Sequence, residues 1–565
     1  AAVALPLARA ALTDYVTIVS RVGADATIAS AQEPNMRRQV LALTAAAWDS
    51  DPDSAALLDE AFRAAQWAQN SQAARATQRM SARFAAGSGE LAALARRKQD
   101  LVNLWSARDG EYLVALARPG APAPRETEAL EQELAALDAE LASRFPDYAA
   151  LVSPGVLSVP QLQALLKPRE ALIMALPTFD ETCVFAISPT SAGWTRVGLT
   201  SADLDAAIRW LRADLDPNAP SRTAAALDDT PAPQGKSYDR SLAYQLYSRL
   251  LAPLQPVFQG ADTLLVVADG PLSSLPLQVL VTSPPDGDDA DPQAQRDTEW
   301  FVKRHAFATL PSVLSLKALR RNPHVSAATS FVGFGAPSLT GQSATPAPLA
   351  RFFDGGSTRL EAVRALAPLP GTRRELLGLA KVLSAPQSAV RLGADATEAA
   401  LRAAPDMTDA RILALATHGL LAGDITGLSE PALVFTPPDG PGTSDDDGLL
   451  TASEAAQLTL DADWVILSAC NTAASDGTPG AEGLSGLASA FLYAGAQSVL
   501  ISHWPVRDDA AAALTTISSL NPHRSSSDPP PRATLIRSGR GTGPPGAIAL
   551  KPRIAAATSG AQACP

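Results

Sequence analysis

The feature that most constrains this chain is an apolar run that ends at a cysteine, Asp463-Trp-Val-Ile-Leu-Ser-Ala-Cys470-Asn-Thr472. A short run of apolar and β-branched residues, closed by small and polar ones, is typical of a strand buried in a parallel sheet. Upstream, Arg411-Ile-Leu-Ala-Leu-Ala-Thr-His418-Gly419 repeats this pattern with a histidine at its end. Ligands bind beyond the carboxyl ends of parallel strands, so we expect the thiol and the imidazole at one sheet edge.

Strand and helix patterns alternate through the middle of the chain. The predicted strands are 171–176, 182–187, 194–197, 263–268, 305–310, 330–334, 411–417, 463–469 and 498–501, and the predicted helices are 201–215, 242–251, 312–319, 372–382, 397–401, 451–458 and 482–493. Thr372 and Thr451 each stand three residues before a glutamate, which is the spacing of a capping box. The alternation predicts an α/β fold with a mostly parallel sheet and helices on both faces. The 52 residues from His418 to Cys470 would contain the helical crossover that a parallel pair needs.

Three regions of different character follow one another along the chain. Residues 1–148 are predicted to be helical, as a packing or oligomerising arm or a degenerate tetratricopeptide or coiled-coil hairpin that turns at Arg118–Pro124. Residues 149–517 form the predicted α/β domain, divided at about residue 335 into two halves. Residues 518–565 are rich in proline and arginine, and we interpret them as a disordered or frame-shifted tail. Two acidic stretches, Pro284–Glu299 and Pro437–Gly448, are predicted to be surface loops.

Composition excludes several classes of protein. The net charge of −12 argues against a nucleic-acid-binding surface. The three cysteines form neither a disulfide framework nor a metal-ligand pattern, which favours a reducing, cytoplasmic compartment. The sequence contains no run of about 18 apolar residues, so we expect no membrane span. The amino-terminal sequence suggests a cut fragment rather than a signal peptide. Gly333-Phe-Gly335 lacks the third glycine of a dinucleotide fingerprint, so we expect no cofactor. No His, Asp or Glu cluster has the spacing of metal ligands, so we expect no metal.

The paired strand ends point to nucleophilic catalysis. A thiolate is the reactive form of cysteine, and an imidazole nearby can take the thiol proton or favour the charged sulfur. Cys470 and His418 are therefore the candidate pair, and the backbone N–H of Gly419 would be placed to stabilise an oxyanion. A buried cysteine that only packs is the alternative for Cys470. His503 also ends a predicted strand, but Trp504 and Pro505 follow it, so we interpret it as structural or as part of the rim.

Several of these motifs together resemble the CHAT domain, a caspase-like peptidase domain related to separase and common behind tetratricopeptide repeats in bacteria. The resemblance covers roughly residues 150–515. Its most specific blocks are Leu415–Gly419, Leu467–Thr472, Gly480–Ala496 and Trp504–Asp508, and further blocks are Val267–Pro276, Leu310–Ser312 and Leu369–Glu375. The half from about Ala171 to Phe334 carries no dyad and resembles a caspase-like pseudo-domain.

The resemblance implies roles for particular residues. His418 would be the general base and Cys470 the nucleophile, and the backbone N–H groups of Gly419 and Cys470 would form the oxyanion hole. Asp508, with Asp509 beside it, stands where relatives place an acid that receives a basic side chain of the substrate. The alternative for Asp508 is a cap on the following helix.

Two departures from the family pattern leave two functions open. Relatives continue after the Trp-Pro-Val-x-Asp segment with a long helix and a closing strand, whereas this chain has its Pro/Arg-rich tail there. The tetratricopeptide repeats expected before the domain are absent or vestigial in residues 1–145. The intact dyad favours a cysteine endopeptidase that cleaves protein substrates after a basic residue. We expect a protein partner to activate it through the Pro437–Gly448 and Ser475–Gly480 loops. The tail favours the alternative, a catalytically inactive interaction scaffold in bacterial signalling.

Overall fold

The chain divides into two compact units, which are described separately. The described residues of the computed structural model are 4–22, 26–68, 90, 93–94, 97–98, 101, 104–105, 128–144, 156–215, 237–321, 331–340, 356–404, 406–407, 410–420, 425, 428, 430–440, 446–458, 460, 462–469 and 486–502. Unit 1 comprises Ala1–Thr178, Thr182–Arg196 and Leu310–Pro323, and unit 2 comprises Phe179–Glu181, Val197–Thr309 and His324–Pro565. The domain boundaries given above stay a prediction.

Helices and strands alternate along most of the described chain, which confirms a mixed α/β fold. The helices are α1 (Ala4–Val22), α2 (Ala26–Ser50), α3 (Glu128–Arg144), α4 (Val159–Leu165), α5 (Ser201–Leu215), α6 (Arg240–Leu250), α7 (Gln255–Phe258), α8 (Pro292–Asp297), α9 (Ser315–Arg321), α10 (Gly356–Arg364), α11 (Pro370–Val382), α12 (Glu398–Ala403), α13 (Ala452–Ala455) and α14 (Gly486–Tyr493). The strands are β1 (Glu170–Pro177), β2 (Thr182–Ile187), β3 (Ala192–Val197), β4 (Thr263–Ala268), β5 (Ala306–Thr309), β6 (Val332–Pro337), β7 (Val390–Gly393), β8 (Ile412–Ala416), β9 (Gly419–Leu420), β10 (Ala432–Val434), β11 (Leu449–Thr451), β12 (Trp464–Ser468) and β13 (Val499–Leu500). Residues 55–68 are also helical.

In unit 1, amino-terminal helices pack on strands through aromatic side chains. β1 pairs antiparallel with β2, and β3 lies beside β2. Trp194 of β3 stacks on Phe185 of β2 and meets Trp48 of α2 edge to face, at centroid distances of 5.7 and 5.0 Å. Phe62 packs against Phe185 from the helical stretch 55–68. This part of the predicted arm therefore has a packing role, whereas the predicted hairpin turn at residues 118–124 lies outside the described residues.

Unit 2 contains a five-stranded sheet in which every neighbouring pair is parallel, in the order β13-β12-β8-β6-β7. Alternate residues of β8 point into two different cores. Leu413 and Leu415 pack with α12, α13 and α14, whereas Ala414 and Ala416 pack with α11. The prediction of a parallel sheet covered by helices on both faces is thereby confirmed for this sheet. In the same unit, β4 and β5 form another parallel pair.

Glycines of β6 allow α11 and β8 to approach closely. A Cβ added to Gly335 would lie 2.7 Å from Cδ1 of Leu376 in α11 and still closer to the carbonyl oxygen of Ala416 in β8. A Cβ on Gly333 would meet Leu376 and Phe331 at 3.1 to 3.2 Å. The Gly-Phe-Gly sequence therefore serves close packing at the end of β8.

The predicted helix starts are confirmed at two places and wrong at a third. Thr397 caps α12 by accepting a hydrogen bond from the N–H of Ala400, and Thr451 forms the expected capping box with Glu454 at α13. Thr372 is not a cap, because Pro370 begins α11 two residues earlier. The Thr372 hydroxyl instead donates to the carbonyl of Leu369 within the first turn.

The prediction of a surface loop at Pro284–Glu299 is wrong in part. The segment contains α8, and it encloses the side chain of Arg240, which is 1% exposed. The guanidinium group pairs with Asp289 and donates to the carbonyls of Asp286, Gly287 and Ala294 and to the hydroxyl of Thr298. A buried arginine is stable only when its donors are satisfied, so this segment is fixed to α6 rather than free in solvent.

The crossover from β8 to β12 is more than a helix. α13 supplies a single helical turn, shorter than predicted, and the preceding segment forms the small antiparallel sheet β11-β10-β9. A third apolar core lies under this sheet and includes Val363 of α10, Leu420 of β9 and Val434 of β10. The sheet follows immediately after the histidine strand, so it fixes the backbone on that side of the sheet edge.

A buried carboxylate ties the end of the Pro437–Gly448 loop to α12. Glu398 is fully buried, and its Oε2 accepts hydrogen bonds from the N–H groups of Asp447 and Gly448 at 2.9 and 3.1 Å. Burial, together with the nearby carboxylates of Glu454 and Asp447, raises the pKa of Glu398 from 4.5 to about 8. Arg402 is closer to Glu454, at 3.2 Å, than to Glu398, at 4.0 Å, so it only partly offsets this repulsion.

We predict that Gly335→Ala destabilises unit 2, because the methyl group would overlap the Ala416 carbonyl and Leu376. Overpacking of this kind costs about 1–3 kcal/mol. The measurement is the midpoint of urea unfolding. Gly260→Ala is the matched control, since a Cβ there meets nothing within 4 Å. Equal midpoints for the two variants would contradict the close approach.

We also predict that Glu398 makes unfolding free energy depend on pH. The folded pKa of Glu398, about 8, lies above the 4.5 of the unfolded chain, so its stabilising contribution is complete below pH 4.5 and is lost as pH rises to about 8. Glu398→Gln should remove this loss. The difference in melting temperature, Glu398→Gln minus wild type, should therefore increase between pH 5 and 8 and stay constant at higher pH. Glu361→Gln, an exposed change on α10, should show no such trend, and a flat difference for Glu398→Gln would refute the assignment.

Candidate functional site

The ends of β8 and β12 lie side by side in unit 2. The two strands are parallel and paired from Ile412 with Trp464 to Ala416 with Ser468, a constant offset of 52 residues. The N–H of Thr417 then donates to the carbonyl of Ser468 at 3.1 Å, so the pairing continues beyond the last strand residue. The expectation that the histidine and cysteine segments are neighbouring parallel strands is confirmed by this register.

His418 lies immediately beyond this edge and is held by a backbone carbonyl. Its side chain is buried, with 7% of the residue exposed, and Nε2 is 2.7 Å from the carbonyl oxygen of Ala367. A carbonyl oxygen can only accept, so Nε2 is the nitrogen that bears the proton in this contact. Ala367 belongs to the connector between α10 and α11, which sequence reasoning did not identify. Its only signal was the neighbouring Leu369–Glu375 motif.

The backbone around His418 is fixed by the small antiparallel sheet. The N–H of Val434 donates to the carbonyl of His418 at 3.0 Å, and the hydroxyl of Thr417 donates to the carbonyl of Val434. Gly419 is the first residue of β9 and stands opposite Leu433. The chain therefore turns from a parallel strand into an antiparallel one within three residues, with the histidine between them.

The β12 side of the edge is held by two hydroxyl groups. Ser468 donates from Oγ to Oε2 of Glu375 in α11 at 2.9 Å. The next residue, Ala469, accepts from the hydroxyl of Ser502, which follows β13, at 2.8 Å. Glu375 is 1% exposed, so its carboxylate is buried under the end of the sheet. Neither hydroxyl contact was anticipated from the sequence.

Other predicted site residues lie outside the described residues. These are Cys470, Asp508, Asp509 and the alternative histidine His503. The Ser475–Gly480 loop and residues 441–445 of the other predicted switching loop are likewise outside. Of the proposed residues, His418 and Gly419 therefore have an observed position, and the others remain predictions.

His305 does not contribute to this edge. It precedes β5 and is buried among Phe258, Phe301 and Phe307, where its Nδ1 lies 2.8 Å from the carbonyl oxygen of Ala261. Burial lowers the pKa of His305, and this environment is that of a core residue.

The described residues contain neither a cluster of metal ligands nor a membrane-spanning helix. No group of three or more His, Cys, Asp and Glu side chains among them is arranged to hold a metal ion. Within the same residues, no helix is both long and apolar enough to cross a membrane.

Comparison with known proteins identifies the domain that contains this edge. The family model of the CHAT domain matches residues 240–519, which include β8, β12 and the α10–α11 connector. No curated protein matches the chain. Residues 150–239, which the resemblance also covered, lie outside the match. The CHAT family is a family of caspase-like, cysteine-peptidase-like domains. The comparison therefore assigns residues 240–519, just under half of the chain, to the CHAT domain family.

Proposed function

We propose that this chain is a cysteine endopeptidase in which His418 and Cys470 form the catalytic dyad. The observation that carries the proposal is the register of β8 with β12. Its offset of 52 residues, continued by two positions beyond Ala416 and Ser468, would place position 470 opposite position 418. Neighbouring strands are about 4.8 Å apart, a spacing at which a cysteine and a histidine side chain can share a proton.

The contact of His418 with Ala367 supports a role as general base. Because Nε2 donates its proton to the Ala367 carbonyl, the lone pair of the neutral ring is on Nδ1. A carbonyl partner also stabilises the imidazolium that forms when the ring accepts a proton from the thiol. This backbone group would then serve the orienting function that a carboxylate serves in a catalytic triad.

The reaction follows from these roles. The Cys470 thiolate would attack the carbonyl carbon of the scissile peptide bond and form a C–S bond. The imidazolium of His418 would give its proton to the leaving amine as the C–N bond breaks. Water, deprotonated by His418, would then attack the acyl-enzyme and release the carboxylate product and the thiol.

The ladder geometry at Gly419 supports its proposed oxyanion role. In an antiparallel pair, hydrogen-bonded and non-hydrogen-bonded residue pairs alternate. Val434 donates to His418, which makes that pair a hydrogen-bonded one, so the next pair, Gly419 with Leu433, is not. The N–H of Gly419 is thus directed away from β10. With the N–H of Cys470, it would stabilise the negative oxygen of the tetrahedral intermediate.

Substrate choice and control complete the proposal. Asp508, with Asp509 beside it, would bind an arginine or lysine side chain at the cleavage site, because a carboxylate pairs strongly with a guanidinium or ammonium group. A protein partner would activate the enzyme by rearranging the loops between the strand ends. The CHAT match supports peptidase ancestry, and an inactive interaction scaffold is the outcome to be tested against it.

We predict that an acyloxymethyl-ketone probe with arginine at its reactive end labels the wild-type chain covalently. Cys470→Ala should abolish labelling because it removes the attacking sulfur, and His418→Ala should slow it about 100-fold or more because the thiol loses its base. Intact-mass spectrometry and peptide mapping measure the adduct.

Cys183→Ala is the matched control. Cys183 is buried in β2, with its Sγ 3.7 Å from the Thr44 hydroxyl, so its loss should leave labelling unchanged. Absence of wild-type labelling, with or without candidate partners, would reject the peptidase and leave the scaffold. Labelling retained in Cys470→Ala would reject this dyad.

We predict that Asp508→Asn lowers the second-order labelling rate of the arginine probe about 10-fold or more, and changes little for a probe with a neutral side chain. Asparagine caps helices as well as aspartate, so this change removes the charge while preserving a cap. Asp509→Asn is the parallel variant. An equal effect on both probes would favour the capping role of Asp508.

A further inference from the structure

One segment contacts both strand ends in unit 2. The connector after α10 places the carbonyl of Ala367 on Nε2 of His418 at 2.7 Å. Eight residues later, in α11, Glu375 accepts the hydroxyl proton of Ser468 at 2.9 Å. Besides the direct hydrogen bond from Thr417 to Ser468, this segment is therefore a second place where the ends of β8 and β12 are held relative to each other.

The placement of Glu375 is not explained by packing. Its helical neighbours Leu376 and Leu379 belong to the apolar core between α11 and the sheet, and Glu375 is as buried as they are. Burying a carboxylate costs free energy unless it is hydrogen-bonded, whereas a leucine at this position would need no partner. The side chain therefore has a use that an apolar residue could not supply.

The role of Glu375 follows from the short distance between Ser468, which it contacts, and the proposed nucleophile Cys470. Ser468 precedes Cys470 by two residues, so the two Cα atoms are no more than about 7 Å apart. We propose that Glu375 is a positioning residue, which fixes the backbone that carries Cys470 by holding Ser468. The inference rests on the proposed dyad and adds to it. Ala367 sets the histidine, Glu375 sets the cysteine strand, and α11 keeps the two in a constant relation.

Loss of this hydrogen bond should loosen the strand end without unfolding it. The carbonyl of Ser468 still receives the N–H of Thr417, and the carbonyl of Ala469 still receives the hydroxyl of Ser502. Displacement of a reacting group by about 1 Å can cost up to 100-fold in rate. An effect on the chemical step is therefore expected where the effect on folding is small.

The experiment compares Ser468→Ala, which removes the donor, with Ser468→Thr, which keeps a hydroxyl on a strand-forming side chain. With the arginine probe, Ser468→Ala should lower the maximal rate of inactivation about 10-fold and leave the probe concentration for half-maximal rate unchanged. Ser468→Thr should stay within about 3-fold of wild type. Glu375→Gln should fall between them, because its amide keeps one acceptor oxygen but replaces the other oxygen with an NH2 donor.

Glu170→Gln provides the matched control, since it makes the same change at another buried glutamate, one that lies in unit 1 and whose partners include the N–H of Lys167 and the guanidinium of Arg320. It should leave both kinetic constants unchanged. Rates equal to wild type in Ser468→Ala, or an equal loss in Ser468→Thr, would overturn the positioning role.

A second readout does not depend on peptidase activity. The rate at which iodoacetamide alkylates Cys470, followed by peptide mass spectrometry against pH, reports the ionisation of its thiol. In Ser468→Ala and Glu375→Gln, the pH at which the alkylation rate of Cys470 is half-maximal should move toward the pKa of about 8.5 for a free thiol. If the wild type takes up no probe, the proposed function fails while this profile still decides the inference. Identical profiles in all variants would overturn it.

Discussion

The parallel pairing of β8 with β12 is the constraint on which the rest of unit 2 depends. It begins where Arg411 and Asp463 form an ion pair at 3.0 Å, and it ends where Thr417 donates to Ser468. This ion pair at the protein surface contributes little stability. The ladder of hydrogen bonds that follows it allows one register only, because a shift of one residue would turn Leu413 and Leu415 out of their core. Both strand ends are therefore specified by the packing of the strand interiors.

Small residues make the other contacts at this edge possible. On the face covered by α11, β8 presents Ile412 at its start and then Ala414 and Ala416 toward its end, and the neighbouring β6 presents Gly335. Larger side chains would hold α11 away from the sheet. Since α11 lies close, its Glu375 reaches Ser468, and the connector before it reaches His418. The small side chains at the end of this strand face thus determine how polar groups meet beyond the strand's end.

The sequence predicted the elements of this region and not their lateral contacts. The apolar runs before His418 and Cys470 are local patterns, and they gave the strands, their direction and their neighbourhood. The short antiparallel sheet was missed because β9 has two residues and β10 and β11 have three each, too few for any periodicity. The Ala367 carbonyl and the Glu375 carboxylate could not be assigned, since a hydrogen bond between residues 51 or 93 positions apart leaves no local pattern. Thr372 misled because capping-box spacing ignores a proline at the first helical position.

Two buried glutamates in unit 2 show how one residue type is used in different ways. Glu398 accepts from two backbone N–H groups near two other carboxylates, and its raised pKa keeps it protonated near neutral pH. The free-energy cost of burying Glu398 is thus reduced, because its carboxyl group is neutral. Glu375 accepts from a hydroxyl at a strand end, under a face otherwise lined with apolar groups. Because one carboxylate closes a loop and the other restrains a strand, burial alone does not distinguish a structural acid from one that serves a site. The distinguishing feature is which backbone its partner belongs to.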